Sequence, residues 1–129
     1  MIVTAWNNGA HSRKGVGYGI RISDEERNLF FKKEWDIVLL ELQGQEEEIE
    51  VKIDKDSFWG EPGRELISIE IGRWLHSQGL APWARGNPPK LIMEPLEDNR
   101  FSLEKMAKQI MSKVKNSGNQ LQKQVIQPQ

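Results

Sequence analysis

The chain has 129 residues, no cysteine, and 18 basic against 19 acidic side chains, for a net charge of −1. That length suits a single domain with its own core, and the lack of cysteine rules out disulfides, thiol nucleophiles and thiolate metal sites. No apolar run approaches the roughly 18 residues of a membrane span, and the first residues, MIVTAWNNG, lack the basic and apolar regions of a secretory signal, so a cytoplasmic protein with no membrane partner is expected.

The run IVTAW at 2–6 reads as a first strand, and NNGAHSRKGVG after it as a loop punctuated by asparagine and glycine. In YGIRIS, Tyr18, Ile20 and Ile22 share one face and Arg21 takes the other, the period of a half-buried strand. Ser23 or Asp24 can cap a helix, and Glu26 three residues after Ser23 has capping-box spacing. It predicts a short helix that carries Leu29, Phe30 and Phe31 to the core. WDIVLLELQG and EEEIEVKID form the clearest pair. In the second, Ile49, Val51 and Ile53 alternate with Glu50, Lys52 and Asp54; the first is apolar on both faces, as in a strand covered on both sides. A glycine in QGQE supplies the reversal, so a β-hairpin is predicted.

Between Asp56 and Gly79 the period changes. Ile67, Ile71, Trp74, Leu75 and Gln78 fall at amphipathic-helix spacing, Leu66 and Ile69 widen the buried face, and Gly79 is placed to stop the helix. Gly72 inside such a helix costs about 1 kcal/mol relative to alanine, so another backbone is expected to approach there. Phe58 and Trp59 are assigned to the core. APWARGNPPK, with three prolines and a glycine, excludes regular structure, KLIME reads as a further strand, and EDN as a turn. From Ser102 onward, Leu103, Met106, Ala107, Ile110, Met111 and Val114 recur at helical spacing with lysines between them, which predicts a C-terminal amphipathic helix ended by Gly118. Residues 117–129 are Gln-rich and read as a flexible tail. The sum is α+β: one domain over 1–116, built on a small, curved, mainly antiparallel and barrel-like sheet with a central helix and a C-terminal helix.

Gly15, Gly17 and Gly19 superficially suggest a phosphate loop. Such a loop must follow a strand and open a helix, whereas this one leads into IRIS, and no Gly-Lys-Ser/Thr closes it. Two readings remain. The alternate glycines let a backbone pack close, as a kinked hairpin arm against Trp6 or Trp35, or they clear a contact surface for an anion beside His11, Arg13 and Lys14. Trp83 and Arg85 sit in the proline-stiffened loop, an indole for stacking and a guanidinium for phosphate, unless Trp83 closes the core beneath that loop. Charge is segregated along the chain: residues 1–23 carry +3, 24–61 carry −8, and 102–129 carry +4. Basic ends of this kind either pair with the acidic middle or present one positive face.

The leading expectation is a non-catalytic binding domain for nucleic acid, contacted through Arg13, Lys14, Arg21, Trp83 and Arg85. A second is a dimerisation or partner-docking module that uses residues 103–114, with Met106, Ile110, Met111 and Val114 as the adaptable contact surface. A third is a Mg²⁺-dependent nuclease, because Glu50-Val51-Lys52 matches E-x-K and Asp36 lies on the neighbouring strand; cross-strand ion pairing explains the same pattern. His11 and His76 have no ligand spacing, and no nucleophile motif is present. No catalytic residue, metal or cofactor is therefore assigned.

Overall fold

The computed structural model describes residues 1–60 and 63–106. Alternating apolar residues settle into seven strands: β1 Ile2–Asn7, β2 Tyr18–Arg21, β3 Ile37–Leu42, β4 Ile49–Lys52, β5 Glu65–Ile67, β6 Lys90–Pro95 and β7 Arg100–Lys105. They form one sheet in the order β4-β3-β7-β6-β1-β2-β5. Every neighbouring pair is antiparallel except β3 with β7. The outermost strands β4 and β5 come close to one another, so the sheet nearly closes into a barrel. One face of each strand lines the interior: Val3 and Ala5, Ile20, Val38 with Leu40 and Leu42, Val51, Leu66, Leu91 with Met93, and Phe101 with Leu103 are all buried. The predicted hairpin is present as β3–β4, with Leu40 opposite Ile49 and Ile37 opposite Lys52. Its first strand lies between β4 and β7, with Val38, Leu40 and Leu42 buried on one face and Ile37 and Leu39 only half-buried on the other.

Three short helices complete the fold: α1 Asp24–Phe30, α2 Asp56–Trp59 and α3 Ile69–Ser77. Ser23 caps α1 as its spacing predicts. Its hydroxyl accepts from the Glu26 N–H at 3.1 Å and donates to the Glu26 carboxylate at 3.1 Å. Ser23→Ala should cost about 1 kcal/mol, read as a lower urea midpoint at unchanged slope. An unchanged midpoint would mean the cap is idle. Phe31 reaches the core and stacks on Phe101 at 4.5 Å. Leu29 and Phe30 do not: they are 75% and 38% exposed, because a helix this short buries only one narrow side.

The long central helix expected from periodicity is shorter in the structure. Leu66 and Ile67 belong to β5, where they supply the pairing edge for β2, and Ile69 is half-exposed at the start of α3. Ile71, Trp74 and Leu75 remain fully buried, and the Trp74 indole donates to the Gln43 carbonyl at 2.8 Å. Gly79, at φ +75°, ends the helix in a Schellman turn: its N–H meets the His76 carbonyl, and the Leu80 N–H meets Leu75.

The predicted C-terminal helix is corrected at its start. Residues 102–105 lie in β7, antiparallel to β6 and parallel to β3. Phe101 and Leu103 alternate inward there, and the period-2 pair overrides the helical spacing that begins at Leu103. Met106 follows the strand, half-buried. Ile110, Met111 and Val114 lie outside the described residues, as does the expected tail. Among the described residues no helix is long and apolar enough to cross a membrane.

A candidate ligand site between two loops

The glycine-rich stretch folds as a pinned loop. Asn7 Oδ1 accepts from the N–H groups of Gly9 (2.8 Å) and His11 (3.0 Å), and Asn8 Oδ1 accepts from Ala10 (3.0 Å). The Gly15 N–H closes a turn on the Ser12 carbonyl, and the Lys14 N–H meets the Ser12 hydroxyl. A phosphate cradle needs free amide hydrogens, and here the chain itself takes those of residues 9, 10, 11, 14 and 15. The glycines serve close packing instead. A Cβ on Gly72 of α3 would stand 2.3 Å from the Gly15 carbonyl oxygen, and one on Gly15 would stand 2.5 Å from the Ile69 carbonyl oxygen. Gly72 is thus met by another backbone, as expected, and that backbone is Gly15. The close partners of the glycines are α3, Asn8 and β5, rather than Trp6 or Trp35 packed over them. His76 Nε2 donates to the Ser12 carbonyl at 3.0 Å and Arg73 Nε to the Lys14 carbonyl at 3.3 Å, which anchors the loop on α3.

The pinned loop places His11 in a cluster of four rings. His11 Nδ1 lies 2.9 Å from the Tyr18 hydroxyl. Trp83 stands edge-on to His11 at 4.8 Å and to Tyr18 at 5.6 Å, and His76 stands edge-on to Tyr18 at 5.2 Å. Tyr18 is fully buried, and burial raises the phenol above its usual pKa, so it stays protonated at neutral pH. His11 itself sits at φ +49°, a left-handed conformation uncommon for a residue with a Cβ, and its N–H donates to the Asn7 side-chain oxygen Oδ1 there.

In front of these rings opens a concavity of about 190 Å³, lined by Thr4, Ala5, Trp6, Asn7, His11, Arg21, Trp83 and Pro88. Thr4, Trp6 and Arg21 come from the side of β1 and β2 opposite the core, since Val3, Ala5 and Ile20 fill the other side. Across these strands, Lys90, Thr4, Arg21 and Glu65 stand in one row. Lys90 Nζ donates to the Thr4 hydroxyl at 2.8 Å. Arg21 donates through Nε and Nη2 to a single oxygen of the buried Glu65 at 2.9 and 2.6 Å. The Nη1 amino group of Arg21 is left over from that clamp.

Of the residues singled out by sequence, Arg21 and Trp83 therefore meet in one concavity although 62 positions separate them. Trp83 both packs against the core and lines the opening, so it is neither sealed beneath its loop nor displayed free of the core. Arg13 and Lys14 are exposed, two and three residues after His11. Arg85 is exposed in the turn closed by the Asn87 N–H on the Ala84 carbonyl, two residues after Trp83. None of these three lines the concavity; each follows a residue that does. Thr4, Trp6, Asn7 and Lys90 were not singled out. Trp6 has a partial signal in the sequence, since it alternates with Val3 and Ala5 at the end of β1, facing away from the core. Lys90 has none, because only strand register puts it beside Thr4.

Comparison with protein-family models, with curated proteins and with solved structures gives no match. Asp36, Glu50 and Lys52 are exposed; Glu50 and Lys52 lie on β4 opposite Leu39 and Ile37, whereas Asp36 precedes β3 and falls in the alternation phase of Val38 rather than that of Ile37 and Leu39. Among the described residues no group of three or more histidine or acidic side chains gathers to hold a metal.

Proposed function

We propose that this protein is a non-catalytic binding module for single-stranded nucleic acid, which takes one base into the concavity between β1, β2 and the 78–90 loop. The observation that carries it is the meeting of two indoles, Trp6 and Trp83, with the clamped guanidinium of Arg21 in one opening of about 190 Å³. A stacked base gains from an aromatic face whatever its identity, and cations around it take the phosphates. Lys90 and Arg21 flank Thr4 at one side of the opening. Arg13, Lys14 and Arg85 extend a positive rim along the two loops, in a chain whose acidic residues concentrate at 24–61.

Counterion release sets the test. If three to five of these cations engage phosphates, log affinity should fall with log salt at a slope of about −2 to −3.5. Anisotropy of a labelled 12-nucleotide single strand should show affinity dropping roughly tenfold to a hundredfold between 50 and 200 mM salt. No binding at 50 mM salt, or a salt-independent affinity, would contradict the assignment.

A further inference from the structure

We propose that residues 107–116 of this chain dock back onto the outer face of its own sheet, over β3, β7, β6 and β1. Strand register composes that face. Glu104, Ile92 and Ile2 stand in one row across β7, β6 and β1, and Glu41, Ser102 and Glu94 in the next across β3, β7 and β6. A third row joins Glu50, Leu39, Arg100 and Leu96, the last through its N–H on the Arg100 carbonyl. All of these lie on the side away from the core, because Val3, Leu40, Leu91, Met93, Phe101 and Leu103, which alternate with them, are buried. Ile2 is 58% and Leu96 42% exposed, while Ile92 and Leu39 are half-buried. Apolar side chains at both ends of the face are thus set among carboxylates. Arg100 is committed to Glu48, whereas Glu41, Glu50, Glu94 and Glu104 are exposed and make no salt bridge among the described residues.

The sequence that follows supplies the occupant. Glu104 is the last outward residue of β7, and Met106 follows the strand half-buried, so the chain leaves from the margin of this face. Residues 107–129 carry Lys108, Lys113, Lys115 and Lys123 and no acid, the opposite sign to the exposed glutamates. Ile110, Met111 and Val114 recur at the spacing of one apolar stripe, with Lys108, Lys113 and Lys115 beside it. A stripe edged by ammonium groups matches apolar side chains edged by carboxylates, and the lysine stems cover further apolar surface. The lengths agree as well. The Glu104 and Arg100 rows are about 13 Å apart along the strands, and β3 and β1 about 14 Å apart across them. Ten residues in a helix span about 15 Å. Because the tether is so short, the segment meets the face at high effective concentration, and modest contacts suffice.

The lack of cysteine lets a nitroxide be placed in the full chain through Ser112→Cys. In dilute ¹⁵N-labelled protein, the amide signals of Leu39, Ser102, Glu94 and Leu96 should be lost. Those of β5, which lies farthest around the sheet from β6 and β7, should persist. Reversing the face charge with Glu94→Lys and Glu104→Lys should restore the signals, as should Ile110→Asp, which sets an acid in the stripe. A segment that is tethered but not docked would dim the surroundings of Met106 equally in all of these proteins, and that result would overturn the proposal. Signals of Leu39 and Leu96 that stay intact at low salt would overturn it too. So would losses seen only when nitroxide-bearing protein is mixed with ¹⁵N-labelled protein lacking the nitroxide, since the face would then join two copies.

Discussion

Replacing Gly72 by alanine should destabilise the protein by about 2 kcal/mol, against the direction helix propensity gives. Alanine in a helix interior is favoured over glycine by about 1 kcal/mol, and α3 is otherwise a well-capped helix, so an isolated α3 would gain from the change. In the fold, the added methyl group would lie 2.3 Å from the Gly15 carbonyl oxygen and 2.6 Å from the Gly15 Cα. Neither helix backbone nor loop backbone can yield as a flexible side chain would, so the loop must lift. For a chain of this size the midpoint of thermal unfolding should fall by roughly 10 °C. Lifting the loop also moves the turn at Ser12, and with it His11, so ligand affinity should fall even for the fraction that remains folded. Gly15→Ala, at φ +93° and with its Cβ 2.5 Å from the Ile69 carbonyl oxygen, should fail in the same way. The pair should couple non-additively, because either change alone opens the crossing. A Gly72→Ala protein that melts higher than the parent would show that the crossing is not tight.

Trp83→Ala should weaken single-strand binding by about tenfold to a hundredfold, the worth of one base stacked on an indole. Two losses combine in it. The occupant loses its aromatic wall, and His11 loses the ring that stands edge-on to it at 4.8 Å. Because Trp83 also packs against the core, part of any effect is structural. Two companion variants separate the contributions. Trp6→Ala removes the other indole of the opening, and Trp6 is not among the half-buried residues packed on the core, so it should lower affinity with little change in melting. Trp83→Phe keeps an aromatic face and should recover much of the loss. Wild-type affinity in both alanine variants, measured by anisotropy, would remove stacking from the site.

The strands and the hairpin were legible because their period-2 alternation is carried by β-branched and aromatic residues, and the structure places those residues on one buried face. Helical periodicity was less secure. Ile67, Ile71 and Trp74 share a helical phase, yet Leu66 and Ile67 are held by pairing with Ile20 and Gly19 of β2, a long-range contact that no local window contains. Leu103 and Met106 misled in the same manner, since β7 is fixed by partners far off in sequence, Leu42 and Met93. Leu29 and Phe30 looked like core because they adjoin Phe31, and only the direction of a seven-residue helix decides which of the three turns inward. For the site, Trp83 and Arg21 could be named from loop stiffness and charge. What binds them into one opening could not. The row Lys90–Thr4–Arg21–Glu65 is a product of register across four strands, and the contact between His11 and Tyr18 depends on a loop shaped by Asn7. The segregation of cations and acids along the chain left open whether the basic ends pair with the acidic middle or present one positive face.

The indole N–H resonances of the five tryptophans, followed by ¹⁵N NMR during titration with a uridine 12-mer, test the site most directly. Trp6 and Trp83 line the concavity, Trp74 is locked inside on the Gln43 carbonyl, and Trp35 and Trp59 pack beside the phenylalanines of the core. The Trp6 and Trp83 signals should shift together and saturate with the binding curve, while those of Trp35, Trp59 and Trp74 stay in place. Binding that leaves Trp6 and Trp83 unmoved would put the ligand elsewhere on the protein and contradict the site.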